Sequence, residues 1–126
     1  MQATKLETLH SEHREWLNRI DFYYDDLKIL RNRLEEVSAR NTSKEVSAQI
    51  EHFENQFIIQ RNELDEFRHA VNEAEEVVTK SVLENGTAVH RRSLQDDGGL
   101  RERMNQFETL FQQLRQELMT FLSKTL

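Results

Sequence analysis

The chain has no cysteine, no proline and only 3 glycines in 126 residues. Without cysteine there is no disulfide and no thiolate chemistry, so nothing marks an oxidising compartment. Without proline and with so little glycine the chain has few places to turn, which predicts a small number of long helices. Long apolar runs are missing too: no eighteen apolar residues stand together to cross a bilayer, and residues 1–13 lack the basic start and apolar core of a secretory signal. The expectation is a soluble, cytoplasmic protein of a single domain.

What the chain does have is apolar spacing of three and four residues, sustained through three stretches. The first runs Leu6, Leu9, His13, Trp16, Ile20, Tyr23, Leu27, Leu30, Leu34, Val37. The second runs Val46, Ile50, Phe53, Phe57, Gln60, Leu64, Phe67, Val71, Ala74, Val78, and the third Leu100, Met104, Phe107, Phe111, Leu114, Leu118, Phe121. A repeat of that kind specifies helices packed side by side through heptad seams, as in a coiled coil. The predicted fold is all-α: an elongated antiparallel three-helix bundle, made of a long helical hairpin and a shorter third helix.

Breaks in the pattern set the boundaries. Thr4 with Glu7 offers a reciprocal cap for a first helix over about 4–40. Asn41, Thr42 and Ser43 make the turn, with Thr42 or Ser43 capping a second helix over about 43–84. Asn85-Gly86 stops that helix, and the period is lost through 85–98, which reads as irregular. Asp96 or Asp97 then caps a third helix over about 99–125.

At about 1.5 Å per residue such a third helix spans roughly 40 Å, against roughly 55 and 60 Å for the other two. It is expected to run out near Tyr24 and Phe57, leaving the hairpin end two-stranded. On that basis Leu27, Leu30, Leu34, Val37, Val46, Ile50, Phe53 and Phe57 are the candidate interface, covered by a second copy in a homodimer or by a partner's amphipathic helix. Trp16, Phe22, Tyr23 and Tyr24 are too close in sequence to share one seam, so core packing with one partly exposed ring is expected, the alternative being that Phe22 or Tyr24 faces a partner or a small pocket.

Charge narrows the partners further. The stretch 43–84 carries 10 acidic and 4 basic residues, a balance equal to the whole net charge of −6. An acidic face of that length disfavours nucleic acid and anionic membrane surfaces. The basic patch His90, Arg91, Arg92 is short and reads as a solvated loop. Adjacent acids such as Asp25-Asp26 and Glu75-Glu76 diverge by about 100° around a helix and do not converge on a substrate. No phosphate loop, dinucleotide fingerprint, cysteine nucleophile or serine elbow is present. The reading is a non-enzymatic interaction or structural protein that self-associates or docks a partner helix through the hairpin end.

Metal binding is the alternative, because helical bundles of ferritin-like or hemerythrin-like type hold imidazoles and carboxylates in their cores. Glu7-x-x-His10 and Glu66-x-x-His69 have the spacing of di-iron ligands. His10 and His13 lie one turn apart with Glu12 or Glu73 in reach, and Asp65, His69 and Glu73 form a strip. The candidate ligands of a divalent transition metal are therefore His10, His13, His69 and Glu73. Against them, Glu66 and His69 fall off the apolar seam, and the third helix has no histidine. His13 and Gln60 themselves occupy seam positions, where a hydrogen-bonded structural histidine and a register-setting amide are expected.

Three helices with Trp16-Leu17 in the first resemble a spectrin-type repeat, in which a tryptophan anchors the core near that point. The resemblance implies the order of three helices only; with the third helix expected to be too short to overlap fully, it does not extend to the role of spacer within a longer rod.

Overall fold

The computed structural model describes the backbone of residues 2–84 and 87–125, and the side chains of residues 6–81 and 97–125. Three helices make up the described chain: α1 (Gln2–Arg40), α2 (Lys44–Glu84) and α3 (Thr87–Thr125). Each packs against the other two, giving the expected three-helix bundle with a hairpin of α1 and α2. The turn follows its sequence signals. The Asn41 N–H donates to the Val37 carbonyl and closes α1. The Asn41 side-chain oxygen accepts from the Ser43 N–H, and the Ser43 hydroxyl accepts from the Val46 N–H to cap α2. Asn85-Gly86 and the side chains of His90, Arg91 and Arg92 lie outside the described residues. Thr4 falls inside α1, which begins two residues earlier than its capping pattern indicates.

The third helix corrects the sequence reading. It starts at Thr87, not near residue 99, so most of the segment 85–98 expected to be irregular is helical, and α3 equals α1 at 39 residues. Asp97 caps nothing: it stands within α3, fully buried, three residues before Leu100 on the same stripe. Three ion pairs then lock α3 parallel to α1. Arg101 pairs with Glu12, Glu108 with Arg19 and Arg115 with Asp26, one heptad apart on each helix. With that register, α3 passes the level of Tyr24 and reaches the hairpin end, where Phe121 packs on Phe53 with ring centroids 5.4 Å apart and Leu122 is buried.

The hairpin end is thus three-stranded. Leu27, Leu30, Leu34, Val37, Ile50, Phe53 and Phe57, assigned above to an interface between molecules, are buried within this one, and Val46 is partly buried against them. They are core because the third stripe covers them; the two-stranded seam that called for a second copy does not exist. Gln60 is buried as expected, with its Oε1 accepting no hydrogen bond, a cost characteristic of polar residues kept on a seam.

Gly98 and Gly99 sit inside α3, both exposed, and a Cβ at either would meet nothing within 4 Å. Glycine in a helix interior costs about 0.5–1 kcal/mol relative to alanine. Gly98→Ala and Gly99→Ala are therefore expected to stabilise the protein by roughly that amount each, measured as a shift in the urea midpoint; a destabilisation would mean that α3 is not continuous through this point.

Candidate functional site

Two features stand out from an otherwise apolar seam: a buried charge cluster at the open end and a groove at the hairpin end. The cluster is built on His13, a core position of α1 with no exposed surface. Its Nδ1 donates to Glu75 of α2 at 2.6 Å, and its Nε2 donates to Asp97 of α3 at 2.6 Å. One imidazole thereby ties all three helices. Donating from both nitrogens to carboxylates requires the imidazolium form. Burial opposes that charge, but the hydrogen bonds and negative charges of Asp97 and Glu75 outweigh it and raise the pKa above the ordinary 6.5. His10, one turn earlier and half exposed, bonds the other oxygen of Glu75 through its own Nδ1, so the network ends at solvent. The second oxygen of Asp97 is buried without a partner.

The sequence correctly marks His13 as a hydrogen-bonded core histidine but misses both acids. Glu75 reads as one of a pair of solvated carboxylates, and Asp97 as a helix cap. A signal for Asp97 is there, since it extends the stripe Leu100, Met104, Phe107 by one step of three.

The groove lies between α1 and α2 and holds about 750 Å³. Tyr24, Leu27, Lys28, Arg31, Leu34 and Glu35 form one wall and Glu54, Phe57, Ile58, Arg61 and Asp65 the other; no residue of α3 lines it. Tyr24 does border a pocket, as expected, although not because α3 ends there. Its hydroxyl donates to Asp65 while the Arg68 guanidinium lies 5.6 Å from the ring centroid. Burial and the Asp65 bond push its pKa up to about 12, so the phenol stays neutral and acts as a donor. Phe22 is exposed and leans edge-on against Tyr23, and Ile29 and Ile58 are also more than half exposed.

The proposed metal ligands do not come together. His69 pairs with Glu73 at 2.8 Å on the exposed face of α2, while His10 and His13 converge on Glu75 instead of Glu73. Both nitrogens of His13 already face carboxylates, leaving no lone pair for a metal. Among the described residues, no group of three or more His, Asp or Glu side chains has the geometry to hold an ion. Neither does any described helix have the length and apolarity to cross a membrane. No protein-family model, curated protein or solved structure matches the chain.

The His13 cluster makes stability depend on pH with a definite sign. A group whose pKa is raised on folding contributes in full below its unfolded value near 6.5, and that contribution is lost as pH climbs through the higher folded value. Denaturant unfolding should therefore show stability falling above about pH 6.5. His13→Ala should remove this slope and cost about 3–5 kcal/mol, because Asp97 is left buried without its partner. A variant that keeps the slope would place the titrating group elsewhere.

Proposed function

We propose that this protein is a non-enzymatic binding module, a rigid three-helix scaffold whose α1–α2 groove seats a helix of a partner protein. The observation that supports this reading is the groove itself. Its base is closed by the buried Leu27, Leu34 and Phe57, and the exposed Ile58 stands on its rim between the two helices. Amphipathic helices dock into grooves of that kind by laying apolar residues along the floor. No histidine, serine, threonine or cysteine lines the groove to form a nucleophile and base pair. His13, held as imidazolium between its carboxylates, lines no part of it.

Docking therefore belongs to the outer flank of the hairpin end, and the seam beneath it is left to hold the fold. Self-association loses its main support once α3 covers that seam, so light scattering is expected to give a monomer mass. The direct test is to titrate the isotopically labelled protein with an uncharged amphipathic helical peptide and follow amide shifts. Perturbations confined to 24–35 of α1 and 54–65 of α2 are expected. Shifts spread over α3, or none at millimolar peptide, would refute groove docking.

A further inference from the structure

The flank of the hairpin that carries the groove is matched at one end and mismatched at the other. Asp21 pairs with Arg68 at 2.8 Å, and the Tyr24 hydroxyl donates to Asp65. These two contacts fix which residues face each other along the flank. Continuing by steps of three and four along each helix, Lys28 comes level with Arg61, Arg31 with Ile58, and Glu35 with Glu54. Two cations oppose each other in the middle, and two acids oppose each other toward the turn. Among the described residues, none of Lys28, Arg31, Arg61, Glu35 or Glu54 makes an ion pair, whereas Asp21 and Arg68 on the same flank do. The groove is lined by this mismatched stretch.

Like charges held across two antiparallel helices repel, and a helix pair evolved only to be stable would have matched them as it does at Asp21 and Arg68. A partner that brings its own charges to these levels relieves the repulsion. We propose that the groove is a charge-coded seat for a partner's amphipathic helix, acidic at the centre where it meets Lys28, Arg31 and Arg61, and basic at both ends, where Asp25 and Asp65 line one and the opposed Glu35 and Glu54 the other. This rests on the docking reading above and adds the chemistry of the occupant. The stretch from Tyr24 to Glu35 covers about 16 Å, close to three turns of that helix. A second copy of this chain seated groove to groove about a two-fold axis would set the central cations against themselves. A nucleic acid strand, negative along its length, would meet carboxylates at both ends of the cationic centre.

The test uses the full chain and three synthetic helical peptides of eighteen residues with the same apolar stripe. One has glutamates at the centre and lysines at both ends, one has these signs exchanged, and one is uncharged. The acid-centred peptide is expected to bind at least ten-fold more tightly than the exchanged one, with the difference shrinking as salt is raised. In the Lys28→Gln/Arg61→Gln variant, whose fold is checked by its circular dichroism and melting temperature, that preference should fall at least three-fold, with Arg31 and the terminal acids sustaining the rest. Single Lys28→Glu makes a complementary level with Arg61, so it should melt no lower than the parent while losing the acid-centred peptide. Equal binding of both charged peptides, or an unchanged preference in the double variant, overturns the proposal while leaving docking intact if the uncharged peptide still perturbs the groove. Tighter binding of a single-stranded oligonucleotide than of the acid-centred peptide overturns it as well. Failure of all three peptides removes the docking reading itself.

Discussion

The structure depends on the register of α3 against α1. Partners along that interface keep a constant separation of 89 residues in sequence, at Glu12 with Arg101, Arg19 with Glu108 and Asp26 with Arg115. The sign alternates from one level to the next. A slip of one heptad in one direction would set Glu12 against Glu108 and Arg19 against Arg115; in the other it would set Arg19 against Arg101 and Asp26 against Glu108. Each exposed pair contributes only about 0.2–1 kcal/mol. Their value is in discriminating between registers that the apolar stripes alone tolerate, since a heptad slip keeps every stripe facing inward. The Tyr23 hydroxyl, donating to Glu108 from the core side, adds a further level-specific contact.

Register in turn decides what is inside. With α3 carried to the hairpin end, Phe121 meets Phe53, the seam from Leu27 to Phe57 closes, and the open surface is displaced to the α1–α2 flank that α3 does not reach. At the opposite end the same register brings Asp97 to His13, whose other nitrogen holds Glu75. A misregistered α3 would leave the imidazolium and a buried carboxylate separated. The two ends therefore differ: a buried charge cluster ties the three helices together at one, and a groove between α1 and α2 stays open toward the other.

The apolar stripes were legible in the sequence almost residue by residue, including His13 and Gln60 as polar members of the seam. The largest failure of legibility traces to one residue. Asp97 occupies a core slot, and an acid followed by Gly98-Gly99 carries the local signature of a loop entering a helix. Local propensity lost to tertiary structure because the imidazolium compensates the buried carboxylate, while the two helical glycines together cost only about 1–2 kcal/mol. That single misreading shortened α3 and turned core residues such as Leu30 and Phe53 into an interface. The end of the third stripe shifted slightly as well, with Leu122 buried and Phe121 only partly so. The groove was half visible: the crowding of Phe22, Tyr23 and Tyr24 indicated a ring left over at the surface. Its charge pattern emerges only when α1 and α2 are laid against each other in register.

The most direct measurement is a charge exchange across the α1–α3 interface. Glu12→Arg with Asp26→Lys places like charges at two levels of the ladder, and Arg101→Glu with Arg115→Glu on the facing helix restores opposite ones. The pair of changes on α1 is expected to lower the unfolding free energy by roughly 1–3 kcal/mol, and the fourfold exchange to return it to within about 1 kcal/mol of the parent. A fourfold variant no more stable than the twofold one would contradict the register, and with it the closed seam and the placement of the open groove.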